Sequence, residues 1–252
     1  MWKNIRVVVL LTILLIVAVN AYRDQNQNWN KPVIVLLHPI SADGLPSTEK
    51  YIQQLQLDDF ADVKLYLEQN SRQYRGKSSY FILQIGRKLQ QTPPEMSAQS
   101  SILNNILWSL KFRYYAWQQH QSVDGSPSLT LYLNFYDPAQ TKELKHSTAL
   151  ERGRIGSVNL FASRKQAKPN NVVLVHELLH GFGATDKYDL NTGEPIFPIG
   201  YAQADKQPLY PQTEAEIMGG SVPLSQHKSK MPDDLGQTVI SVLTAQEIGW
   251  IK

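Results

Sequence analysis

The 252-residue chain has no cysteine. That absence excludes thiolate metal ligands, disulfides and a lipid-modified cysteine anchor. Charge is sparse as well: acidic and basic residues make up 19% of the chain, with 25 lysines and arginines against 22 aspartates and glutamates. Lys3 and Arg6 lie at the extreme N-terminus, and without them 23 basic residues face 22 acidic ones. A nearly neutral body gives no electrostatic case for binding nucleic acid. There is no internal repeat and no low-complexity tract. At this length, a hydrophobic content of 42% suffices for one full core without staples.

One long apolar run is present. Residues 7–19 are apolar except for Thr12, and Lys3 and Arg6 precede them. The length suits a signal-peptide core and falls short of an average membrane span. Small residues around Ala21 offer a cleavage site; uncleaved, residues 5–22 would form a short membrane tether. The basic pair keeps its own end in the cytoplasm. Either form places the body outside the cytoplasm, released or anchored.

The most informative stretch is His176-Glu177-Leu178-Leu179-His180, followed by Gly181-Phe182-Gly183-Ala184-Thr185-Asp186. Histidines four apart share one helix face, so both imidazoles can reach one metal ion. Zinc suits such nitrogen ligands. Glu177 neighbours the first ligand, where a carboxylate can take a proton from water activated by the metal. Val172 to Phe182 is otherwise apolar. Such a helix is buried, and its polar groups are costly there unless paired or metal-bound. Gly183 can turn the chain off the helix end and bring Asp186 back as a third ligand. Glu194, Glu214 and Glu216 are alternative third ligands by distance along the chain.

The pattern His-Glu-x-x-His-x-x-Gly-x-x-Asp resembles the metzincin clan of zinc peptidases, some branches of which carry aspartate at the third position. Glu216-Ile217-Met218-Gly219-Gly220 is similar to that clan's methionine turn. The longer strings around Lys187-Tyr188-Asp189 and from Tyr210 to Met218 look like a group of uncharacterised bacterial zincin-like proteins, which together with the N-terminal run implies a bacterial cell-envelope protein, periplasmic, inner-membrane-anchored or secreted. The resemblance covers roughly residues 154–250. It implies a zinc metallopeptidase acting on a protein or peptide substrate, with His176, His180 and Asp186 as zinc ligands and Glu177 as general base. The rival reading is a zinc-stabilised envelope module without turnover. The implied domains are a signal peptide or anchor at 1–22, a polar linker at 23–31 and a zincin-like catalytic domain at 32–252. That domain divides into an upper subdomain, 32–183, and a smaller, mostly irregular lower one, 184–252.

Periodicity predicts strands near 32–38, 79–86, 129–136 and 154–163, with helices over 47–69 and 96–119 before the zinc helix. At 129–136, leucines alternate with polar and aromatic residues, so the two faces differ. The layout is α/β, an α+β zincin-like arrangement with helices packed on a mixed twisted sheet. The strand at 154–163 is the expected edge for an extended peptide. Thr244 and Glu247 have capping-box spacing for a terminal helix. Four further features have ordinary readings. His38 reads as a satisfied polar group, and the aromatics of 96–119 as core. Asp186, Asp189, Asn191 and Glu194 could suggest calcium, but their spacing fails the EF-hand pattern. His227 and Tyr210 are candidates to stabilise an oxyanion, with exposed loop positions as the default.

Overall fold

Strands form where β-branched and leucine side chains crowd together, and parallel strands bury both faces. Val33–Ser41 (β1), Phe81–Ile85 (β2), Leu129–Tyr136 (β3), Thr148–Leu150 (β4) and Ile155–Phe161 (β5) make one sheet in the order β2-β1-β3-β5-β4. All pairings are parallel except that of β4, which runs antiparallel to residues 155–157 of β5. The computed structural model describes residues 2–96, 101–121 and 126–251. Among these, six α-helices accompany the sheet: Trp2–Gln25 (α1), Pro46–Gln53 (α2), Ala61–Arg75 (α3), Ile102–Gln118 (α4), Ala167–His180 (α5) and Val242–Glu247 (α6). The fold is therefore a mixed α/β architecture on a mostly parallel twisted sheet. α1 is long and apolar enough to cross a membrane, and it could serve as a signal sequence or an anchor.

Alternation along β3 decides the layers. Leu129, Leu131, Leu133 and Phe135 are buried in the main core with side chains of α2, α3 and α5. Tyr132 points to the other face, against Ile40, Ile155 and the α4 residues Phe112 and Tyr115. Each fully buried side chain of this size contributes about 1.5–3 kcal/mol. His38 stacks on Tyr132 and its Nδ1 donates to the Arg87 carbonyl at 2.8 Å. Burial lowers its pKa, so it is a satisfied core histidine.

Several elements differ from the sequence reading. The helix expected over 47–69 is broken: α2 stops at Gln53, a 3-10 turn spans Leu57–Phe60, and α3 starts at Ala61. Asp59 explains the break, because its carboxylate accepts from the Gln56 N–H at 2.8 Å and caps a new start. Only part of the helix expected at 96–119 is α4, and residues 97–100 lie outside the described residues. In α4, Phe112 and Tyr115 are core, but Tyr114 and Trp117 are exposed. Strand β4 was not anticipated. It takes the sheet edge, so β5 is an interior strand over the residues it pairs. Asp24 and Trp29, in the segment read as a linker, are docked on the body: Asp24 accepts from the Gly153 N–H at 2.8 Å, and Trp29 packs on Phe182 and Trp250.

Beyond residue 183 the elements are short. Ala215–Glu216 (β6), Val222–Ser225 (β7), Lys228–Lys230 (β8) and Thr238–Val239 (β9) form two small ribbons, β6 with β9 and β7 with β8. α6 is capped by Ser241, whose hydroxyl accepts from the Thr244 N–H at 3.2 Å. Glu247 does not close a capping box with Thr244, because its carboxylate is engaged by Thr185 and Lys187.

Candidate metal centre

Asn170 fixes the start of α5 to the end of β5. Its side chain accepts from the Phe161 N–H at 3.1 Å and donates to the Phe161 carbonyl at 2.9 Å. Val172, Leu174, Val175, Leu178 and Leu179 are then buried, so the core sets the helix rotation. His176 and His180 are left one turn apart on the remaining face. Gly183, with φ of 104°, reverses the chain beyond the helix in a conformation open to glycine. The Ala184 N–H reaches back to the Leu179 carbonyl at 3.1 Å, and Asp186 arrives opposite the imidazoles.

The three side chains meet closely. His176 Nε2 and His180 Nε2 are 3.0 Å apart, and Asp186 Oδ1 lies 3.2 Å from the first and 3.0 Å from the second. The other ring nitrogens are occupied. His176 Nδ1 donates to the Ile217 carbonyl at 2.9 Å, and His180 Nδ1 donates to the Ala184 carbonyl at 2.7 Å. A carbonyl can only accept, so each neutral ring carries its hydrogen on Nδ1 and turns an Nε2 lone pair inward. Two such lone pairs and a carboxylate oxygen, with no hydrogen between them, form a nest for a cation. Ligand atoms about 2.0–2.1 Å from a tetrahedral ion stand about 3.3–3.4 Å from one another. The spacing here is close to that, and the group could hold a metal ion.

Electrostatics agree with the geometry. Burial opposes ionisation of Asp186, but the neighbouring His176 and His180 outweigh it and hold the carboxyl well below the usual range. Burial would lower the pKa of His180, whereas the neighbouring Asp186 and Glu177 carboxylates and the Ala184 carbonyl push it up. Glu177 is buried, and its Oε2 has no hydrogen-bond partner among the described residues. Burial raises its pKa, Asp186 adds to the rise, and His176, His180 and His146 oppose it.

Packed against α5, Met218 is fully buried in a 3-10 turn, Ile217–Gly219, that ends on Gly220 with φ of 74°. Ile217 holds His176, and the Met218 carbonyl accepts from the Lys187 N–H at 2.9 Å. Lys187 is itself buried and pairs with Glu247 at 2.7 Å, tying the loop after α5 to α6.

The remaining candidates go elsewhere. Glu216 lies wholly within the fold, accepting from Met218, Gly219, Ser241 and Thr244. Glu214 accepts from Gln203 at 3.2 Å, and Glu194 is part-exposed on the loop. Asp189 caps its own turn, accepting from the Asn191 and Thr192 N–H groups, and it joins no metal-ligating group among the described residues. Tyr210 pairs with Tyr201 at 2.9 Å, and His227 is exposed between β7 and β8. Two residues near the site escaped the sequence reading. Tyr188 is near enough to Asp186 to feel its charge, and its ring centre is 6.2 Å from that of His176. Its position two residues after Asp186 was the available clue. His146, exposed just before β4, lies near Glu177, and no sequence signal announces it. Compared with known proteins, the chain matches no family model and no curated sequence.

Proposed function

We propose that this chain is a zinc-dependent peptidase of the metzincin type, acting outside the cytoplasm on protein or peptide substrates. The observation that carries this reading is a nest of three inward lone-pair atoms beside a buried carboxylate oxygen with no partner among the described residues. Two imidazole nitrogens and one carboxylate oxygen favour zinc over the all-oxygen ions, and three protein ligands leave a coordination position open. Zinc bound there supplies Lewis acidity, polarising a substrate carbonyl and lowering the pKa of water.

The chain's own residues do the rest. Ile217 and Ala184 hold the two imidazoles in the ligating tautomer. Glu177 accepts a proton from water at Oε2 and passes it to the departing amine as the C–N bond breaks, while the hydroxyl stays on the acyl carbon. Burial raises its pKa above the ordinary carboxylate value, which makes it a stronger base. The outer edge of β4 offers backbone groups to an extended peptide, a role assigned to β4 because β5 is already paired there.

Glu177→Gln tests the mechanism. It keeps the side chain's size and removes its basicity. Cleavage of a peptide identified by library screening should fall by about 10²–10⁴-fold while zinc content is unchanged. Undiminished cleavage in the variant would contradict the mechanism. No cleavage by the zinc-loaded parent would leave the structural zinc module instead.

A further inference from the structure

α4 carries two apolar stripes. One is Trp108, Phe112, Tyr115 and Ala116, which packs on the sheet beside Tyr132 and Ile155. The other points away from it: Leu103, Leu107, Leu110, Tyr114 and Trp117 follow a four-three-four-three spacing along one helix face. All five are more than half exposed, from 54% at Leu107 to 72% at Trp117. A helix that packs by one seam has no internal use for a second. An exposed patch of this kind marks an interaction site.

What lies beside α4 indicates the partner. The end of α1 is fastened to the body rather than joined by a free tether. Asp24 Oδ2 accepts from the Gly153 N–H at 2.8 Å, and the buried guanidinium of Arg154 donates to the Asp24 carbonyl at 2.9 Å and to Gln27 at 2.6 Å. Arg113 of α4 lies against Gly153 at this junction, close enough to Asp24 to feel its charge. The point where α1 leaves the body is therefore fixed next to α4. α4 also has the composition of a helix lying in a membrane surface. It has no acidic residue, Lys111 and Arg113 border the apolar stripe, and Tyr114 and Trp117 sit towards one end of it.

We infer that α4 is a second membrane contact: its Leu103–Leu107–Leu110–Tyr114–Trp117 face rests on the anionic surface of the bilayer that α1 enters, seating the body against the membrane. An interfacial helix sinks its apolar side about 5–10 Å into the headgroup boundary. Leu110, at the middle of the stripe, should therefore contact lipid, while Gln226, exposed in the β7–β8 turn outside that face, should not.

The lack of native cysteine allows a direct test with the full chain. Leu110→Cys and, separately, Gln226→Cys are labelled with an environment-sensitive fluorophore. Each is reconstituted through α1 into phosphatidylglycerol–phosphatidylcholine vesicles, at no more than one chain per vesicle. Lipids with a nitroxide near the headgroup should quench the Leu110 label several-fold more than the Gln226 label. Adding Leu103→Glu and Leu107→Glu should abolish the difference while α1 stays inserted. Both sites are exposed, so these changes leave the core intact. If iodide in the water quenches the Leu110 label and the lipid nitroxide does not, the inference is overturned. It is equally overturned if the label is shielded only when several chains share a vesicle, because a second copy then covers α4.

Discussion

Glu216→Gln should be among the most damaging single-atom changes in this protein, although the residue lies outside the His176–His180–Asp186 group. The side chain is fully buried, and each oxygen serves two donors. Oε2 accepts from the N–H groups of Met218 at 2.6 Å and Gly219 at 3.0 Å, and Oε1 from the Ser241 N–H at 3.1 Å and the Thr244 hydroxyl at 2.6 Å. Glutamine keeps the volume but replaces one oxygen with a donor. Whichever way the amide faces, two donors lose their acceptor. At about 1.5–3 kcal/mol for each bond to a charged group, the loss is about 3–6 kcal/mol, against a typical total stability of about 5–15 kcal/mol. Urea unfolding of parent and variant measures it. The same turn presents the Ile217 carbonyl to His176, so metal affinity in the folded variant should drop by about 10–100-fold. A stability loss below about 1 kcal/mol with unchanged metal affinity would refute the reasoning.

Two further changes probe the frame around the site. Burial would raise the pKa of Glu247, but hydrogen bonds from Lys187 and Thr185 lower it below its ordinary 4.5. A depressed carboxyl stabilises the fold above its unfolded pKa and loses that contribution as pH falls through the folded value. Glu247→Gln should therefore be clearly less stable than the parent at neutral pH and approach it in acid, in melting curves recorded across pH. An equal gap at every pH would contradict the assignment. Gly183→Ala forces a side chain into φ of 104°, with its Cβ 3.0 Å from Glu151 Oε1, and should cost about 1–3 kcal/mol and weaken metal retention. Gly193→Ala, also at positive φ but in open space away from Asp186, should leave metal binding unchanged.

The geometry around His176 and His180 was legible because a local period carries it: two residues four apart on a helix whose other positions are apolar can face only one way. The third residue was legible through Gly183, whose backbone freedom explains how Asp186 returns to the helix end. The two faces of β3 were readable for the same reason, since alternation has a period of two. What sequence could not give is long-range pairing. Glu216 reads as an alternative third ligand until Ser241 and Thr244 are folded against it. Strand β4 is three residues long, too short for a pattern, and its place at the edge depends on its pairing with β5. The break before α3 hinges on one cap, Asp59, inside a run that otherwise keeps helical spacing. Trp29 looks like part of a polar linker because its partners, Phe182 and Trp250, lie far along the chain.

Calorimetric titration of zinc into metal-free protein, with Asp186→Ala beside the parent, tests the central claim most directly. His176, His180 and Asp186 converge within 3.0–3.2 Å, so the parent should take up about one zinc per chain in a single saturating step. Asp186→Ala should bind it at least tenfold more weakly. No saturable uptake by the parent, or the same affinity in the variant, would contradict the site.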